Sequence, residues 1–317
     1  MIPLLLAALA AGFPHPELWA PTGPTVWRAQ VSAGYSHYDA ADLNRTLQLL
    51  ENLTREAAGT NPYAVSGFDG HPAFQGRFGI RRGPWNLDLE LESWSETFEQ
   101  TEVPFDLEDN DRNDRITCDD LRANAANLTQ LAGCIQAEET FVFLPITVQL
   151  AWMPQWTPWL RAGVGYGLGV LAGSAEVTMR STYFGDQAAP ADEITFSIQP
   201  DPLVNPVHKV FTGVEWKPTR RFGMELRGGY RLTSLQSFVL SDKRGASQVF
   251  DQAFDFPEVG DHLWIQSPGE NPDVQTIWIG SEREARARSS RYTYHPVRGD
   301  FDGWFAAFAV LVEWGTP

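Results

Sequence analysis

One property constrains this chain more than any other: in segment after segment, apolar and polar residues alternate one by one. Residues 85–92 read WNLDLELE. Trp85, Leu87, Leu89 and Leu91 fall on one face, and Asn86, Asp88, Glu90 and Glu92 on the other. A period of two marks a β-strand whose faces meet different surroundings, since an α-helix would scatter both sets around its axis.

The pattern recurs along the chain. In 26–36, Trp27, Ala29, Val31, Ala33 and Tyr35 oppose Arg28, Gln30 and Ser32; in 73–81, Phe74, Phe78 and Ile80 oppose Gln75, Arg77 and Arg81. In 143–152, Leu144, Ile146, Val148, Leu150 and Trp152 oppose Thr147 and Gln149. In 159–171, Leu160 to Val170 oppose Arg161 and four glycines. In 209–217, Val210, Val214 and Trp216 oppose Lys209, Glu215 and Lys217; in 222–232, Phe222, Leu226 and Tyr230 oppose Glu225, Arg227 and Arg231. In 303–314, Trp304, Phe308, Val310 and Trp314 oppose Ala307, Ala309 and Glu313. These eight segments approach the ~9–11 residues that a tilted strand needs to cross a bilayer. No apolar run reaches the ~20 residues of a membrane helix.

The connections sort by length. Residues 82–84, 153–158 and 218–221 read as tight turns rich in Gly and Pro. Residues 37–72, 93–142, 172–208 and 233–302 read as long loops. Short turns at one end and long loops at the other is the layout of a membrane barrel. Tryptophan agrees with it. Trp27, Trp85, Trp152, Trp156, Trp159, Trp216 and Trp314 gather at strand ends on the short-turn side, as an interfacial girdle would. Tyr35, Tyr38, Phe98, Phe141 and Trp304 are expected to form the girdle at the other end.

With these strands, the Arg161-Ala162-Gly163-Val164-Gly165-Tyr166-Gly167 segment and a closing strand that carries Val310, Val312 and Trp314, the chain resembles the small bacterial outer-membrane β-barrel proteins, broadly an OmpA/OmpW-like superfamily, over about residues 25–317. The resemblance implies an all-β, eight-stranded antiparallel transmembrane up-and-down barrel with long extracellular loops in the bacterial outer membrane. It implies contact with outer-membrane lipid, lipopolysaccharide and the barrel insertion machinery, which reads the aromatic closing strand. Gly315, Thr316 and Pro317 follow that strand, so its aromatic is not terminal.

The faces then acquire a chemistry. The set opposite the apolar one carries Arg28, Arg77, Arg81, Arg161, Lys209, Lys217, Arg227 and Arg231 with Asp88, Glu90, Glu92, Glu215, Glu225 and Glu313. An eight-stranded barrel is just wide enough for side chains to fill, and buried charges must be paired. An internal ion-pair network is therefore expected, acting as a structural plug or as a narrow gated path. Gly163, Gly165, Gly167 and Gly169 keep strict period two and do not form the G-x-G-x-x-G of a nucleotide site.

The loops hold further candidates. Residues 39–59 place Leu43, Leu47 and Leu50 at helical spacing, which predicts a short amphipathic helix. Asp109, Asp111, Asn113 and Asp120 partly follow a calcium-loop spacing, although Asp114 stands where a Gly is expected. Cys118 and Cys134 favour a disulfide in an exported chain, with zinc binding as the rival reading. Arg283, Arg286, Arg288, Arg291 and Arg298 suit lipopolysaccharide phosphates or the acidic second loop. Residues 262–266 and 275–280 are β-prone and too short to span, so they are expected to extend hairpins above the membrane.

Residues 1–13 read as the apolar core of a secretory signal with an A-x-A site at Ala8-Leu9-Ala10, although no Lys or Arg precedes the core. This divides the chain into a signal peptide over 1–10, a periplasmic segment over 11–24 and the barrel over 25–317. The balance of 24 Lys+Arg against 40 Asp+Glu argues against nucleic acid, which needs a basic face. No G-x-S-x-G or H-E-x-x-H is present, so no enzyme is indicated. The expected role is structural or interactive, through the outer loops and an unknown extracellular partner. The alternative is a narrow porin-like channel for ions or small solutes. No cofactor is expected beyond the possible Ca²⁺.

Overall fold

The computed structural model describes residues 23–37, 70–99, 102–106, 117–124, 132–184, 191–235, 237–246, 258–266, 277–281, 283 and 294–315. The expected signal peptide, the helix over 39–59 and the acidic residues Asp109, Asp111 and Asn113 lie outside these residues.

The strands are β1 (Thr25–His37), β2 (Gly70–Arg82), β3 (Trp85–Glu99) and β4 (Val103–Asp106), followed by helix α1 (Cys118–Asn124). Next come β5 (Ala132–Trp152), β6 (Gln155–Thr157), β7 (Leu160–Phe184), β8 (Asp192–Asp201), β9 (Asn205–Trp216) and β10 (Phe222–Leu235). The last are β11 (Ser237–Ala246), β12 (His262–Gln266), β13 (Ile277–Gly280), β14 (Tyr294–Pro296), β15 (Gly299–Asp300) and β16 (Gly303–Trp314).

Eight of these strands close a ring in the order β1-β2-β3-β5-β7-β9-β10-β16, every neighbour antiparallel, with β16 returning to β1. Opposed residues run from Thr25 through Arg82, Trp85, Trp152, Val164, Thr212, Gly228 and Ala306 to Tyr35. One circuit therefore returns to β1 ten residues further along. A stagger of this kind tilts the strands by roughly 40°.

The ring is inside-out relative to a water-soluble core. Val31 is 74 % exposed, Phe74 68 % and Leu226 62 %, whereas Arg28 is 1 % and Lys209 and Glu215 are 0 % exposed. Leaving a side chain such as Leu or Phe in water costs roughly 1.5–3 kcal/mol. A continuous outer belt of them requires an apolar solvent, and a closed ring alone satisfies every backbone group within one. Trp27, Trp159, Trp216 and Trp314 stand on the outer face at the short-turn end. Trp85 is half-buried, and Trp152 is 9 % exposed, so the girdle there is uneven.

Above the belt the strands run on, which corrects the expectation of long loops at 93–142 and 172–208. β7 has 25 residues and β5 has 21. Alternation persists there with a new outer face: Ser174, Glu176 and Arg180 are exposed, while Ala175 is buried. Water replaces lipid outside, so polar residues replace apolar ones without changing the period. β8 and β11 join β7, then β12 and β13 follow, which makes one wall of the ring a sheet extension. Its inward face packs Ile194, Phe196 and Leu240 together.

Candidate functional site

The inside of the ring is the densest concentration of charge in the described molecule, and strand parity puts it there. β1, β2, β3, β9 and β10, with Glu313 near the end of β16, carry ionised residues inward, while β7 and the rest of β16 carry Gly163, Gly165, Gly167, Gly169, Ala307 and Ala309. A wall of glycine and alanine leaves room for long Arg and Lys chains from the opposite strands. At Gly169 the fit is close: a Cβ would stand 1.9 Å from the Ile146 carbonyl oxygen.

From the short-turn end upward, the charges form a chain. Lys217 and Arg81 both reach Glu313, Arg81 through Nη1 at 2.5 Å. Arg81 also faces Glu215 at 3.6 Å. Arg28 lies 3.6 Å from Asp88, 3.4 Å from Glu215 and 3.6 Å from Glu225. Arg77 and Arg227 meet Glu225 at 3.1 and 3.0 Å, and Gln30 Nε2 donates to it at 2.7 Å. Arg77 and Arg227 also face Glu90 at 3.8 and 3.7 Å. Lys209 joins Glu90 at 2.5 Å and Glu92, and Arg231 Nη2 donates to Glu92 at 2.6 Å.

This chain has two tiers. In the upper one, Lys209, Arg231, Glu92 and Glu90 are joined by direct hydrogen bonds. In the lower one, none of the nitrogens in the Arg28 guanidinium and neither Glu215 oxygen has a hydrogen-bond partner among the described residues, and Asp88 Oδ1 and Asn86 Oδ1 share that condition. Contacts of 3.4–3.6 Å give attraction without hydrogen bonding, a spacing that suits bridging water. Burying a charge costs several kcal/mol unless it is paired, so near-neutrality of the chain is a condition of folding.

An aromatic layer caps the charges on the long-loop side. The Arg231 guanidinium lies 5.0 Å from the Trp94 ring centre, and the Lys209 ammonium 5.1 Å from that of Phe305. Above them Trp94, Phe143, Leu171, Val207, Phe238 and Phe301 form one buried cluster. Phe143 and Phe301 stand 4.6 Å apart, and Trp94 is 5.3 Å from each. Phe301 and Val297 arrive from the last loop and are fully buried. That segment is pinned where Phe301 N donates to Thr233 O, Thr233 N donates to Asp302 Oδ1 and Val297 N donates to Leu263 O.

Sequence reading missed this cap. The signal was parity: Trp94 shares a face with Glu90 and Glu92, and Phe141 and Phe143 share one with Thr147 and Gln149. Phe141, expected on the outer girdle, is 7 % exposed and belongs to the cap cluster.

The remaining candidates sit as follows. Arg161 leaves the ion-pair chain: its Nη1 donates to Gly83 O at 3.3 Å and its Nη2 to Gln155 Oε1 at 3.2 Å, which ties two short turns together. Cys118 and Cys134 form a disulfide that ties α1 to β5. Asp120 Oδ2 accepts from Thr117 N at 3.0 Å and Thr117 Oγ1 at 2.7 Å, while Asp120 N donates back to Thr117 Oγ1. This reciprocal cap opens α1, and these hydrogen bonds hold the Asp120 carboxyl below its usual range. Glu139 lies above the belt on the inner face of β5, where burial pushes its carboxyl up to about 7.

No family model matches the chain, and no curated protein does. Solved structures overlap it weakly. A major outer membrane protein of Thermus thermophilus is 9 % identical over 92 % of this chain and 99 % of its own, with a TM-score of 0.33. CarO2 of Acinetobacter baumannii is 10 % identical over 90 % and 98 %, with a TM-score of 0.24. The toluene transporter TodX of P. putida is 8 % identical over 97 % and 94 %, with a TM-score of 0.18.

Proposed function

We propose that the chain is an integral β-barrel of the bacterial outer membrane whose lumen is stoppered, and that it works as a structural or interaction protein through its long outer face. One observation carries this: ion pairs run without a break from Glu313 to Glu92, and the Trp94–Phe143–Phe301 layer covers them. Lipopolysaccharide and an extracellular partner would meet the polar outer surface of the sheet extension. A narrow channel is the second reading, favoured by the loosely paired tier around Arg28 and Glu215.

Conductance in planar bilayers separates the two. The wild-type barrel is expected to show no discrete steps, and Glu92→Gln, which removes the carboxylate charge that Lys209 and Arg231 share, is expected to open a leak. Discrete steps in the wild type would establish the channel instead. Phe301→Ala, which touches the cap and no charge, serves the same comparison if Glu92→Gln does not fold.

A further inference from the structure

Two of the three short turns of the ring are basic, although the chain carries a formal charge of −16. They hold Arg82, then Lys217, Arg220 and Arg221. Apart from the six lumen carboxylates, every described Asp and Glu lies at the opposite end, on strand extensions or loops. The long-loop end thus mixes both signs, with Arg122, Arg180 and Arg244 among its acids, whereas the short-turn end carries no described acid outside the lumen.

Three of the short-turn cations are left over from the lumen network. Arg81 and Lys217 are engaged by Glu313, and Arg161 by the Gly83 carbonyl and Gln155. Arg82, Arg220 and Arg221 are exposed and have no ion-pair partner among the described residues. They come from the β2–β3 and β9–β10 turns, which lie across the ring from one another. The edge of the lipid-facing belt lies beside them: Trp156 is 63 % exposed, Phe222 55 % and Trp159 51 %. Aromatic rings at a strand end mark the headgroup layer, so these guanidiniums stand at headgroup level.

We propose that this rim is a binding surface for anionic phospholipid headgroups of the leaflet that the short turns face, with Arg82, Arg220 and Arg221 as the phosphate contacts. A planar guanidinium pairs with phosphate through two parallel hydrogen bonds, and each basic residue near an anionic surface strengthens association by roughly fivefold. The inference rests on the membrane-barrel reading above.

The test uses the full chain folded into phosphatidylcholine vesicles containing phosphatidylglycerol, with each lipid spin-labelled in turn. Labelled phosphatidylglycerol should be enriched severalfold over labelled phosphatidylcholine in the motionally restricted shell. The enrichment should fall in ~1 M salt, where the Debye length is ~3 Å. R82Q/R220Q/R221Q should abolish it while the heat-dependent gel shift of the folded barrel remains. Equal enrichment of the two lipids, or a preference that survives the triple substitution or high salt, overturns the proposal and leaves the barrel standing. If the triple variant does not fold, the salt response of the wild type decides. A chain that does not float with the vesicles overturns the membrane reading and this inference together.

Discussion

At the scale of single residues, what matters is how close a neighbour stands and whether a charge has a partner. Gly169 and Gly76 make a matched pair. A Cβ at Gly169 would meet the Ile146 carbonyl oxygen at 1.9 Å and Thr147 Cα at 2.6 Å, both backbone atoms with little freedom to yield. At Gly76 nothing lies within 4 Å. Gly169→Ala is expected to destabilise the barrel by about 1–3 kcal/mol. Gly76→Ala is expected to be neutral or to stabilise by up to ~1 kcal/mol, because Gly in a strand has more freedom to lose. Urea midpoints of the folded band on unheated gels measure both. Glu139 gives a pH dependence. Burial raises its carboxyl from 4.5 to about 7, so the folded state takes up the proton first. The associated stability is complete below about pH 4.5 and is lost as pH rises through 7, by about 3 kcal/mol in all. Glu139→Gln should flatten that slope in urea titrations between pH 5 and 8.

At the scale of elements, the ring strands and the outer structures are held by different forces. The ring is a cycle of backbone hydrogen bonds. Helix α1 is a seven-residue turn of chain that depends on its Thr117–Asp120 cap and on the Cys118–Cys134 link to β5. Closing a loop between cysteines 16 apart in sequence stabilises by roughly 3 kcal/mol in the chain-entropy model. Cys118→Ser with Cys134→Ser should therefore leave the gel shift of the ring intact and admit protease between residues 100 and 131. Loss of the gel shift in that variant would show that the ring itself depends on the link.

At the scale of the whole molecule, the inverted distribution of polarity decides which solvent the barrel needs. Val31 is the most exposed of the large apolar residues on β1, while Ser32 beside it faces the lumen. Val31→Lys places a charge in the lipid-facing belt and should cost about 2–4 kcal/mol near the bilayer midplane. Urea midpoints of wild type and Val31→Lys folded into bilayers read this out. A cost near zero would show that the belt does not face hydrocarbon. The lumen adds a second whole-molecule property. Several of its pairs link strands far apart in sequence, such as Arg77 with Glu225 and Lys209 with Glu90, so the charge chain is not complete until the ring has closed.

The sequence by itself determined the period-two alternation of the ring strands, and with it that each would present two chemically different faces. Parity is a local property of extended backbone, since successive side chains must point to opposite sides. The turns at 82–84 and 218–221 were legible for the same reason, because Gly and Pro act on their own few bonds. Only the tertiary structure decided which charge meets which, because Arg28 finds Asp88, Glu215 and Glu225 through a stagger that no single strand encodes. It also decided that Phe301, far along the last loop, would fold back onto Trp94 and Phe143 over the lumen. That contact follows from ring closure and the burial of apolar surface, which is non-directional and leaves no periodic mark in a loop.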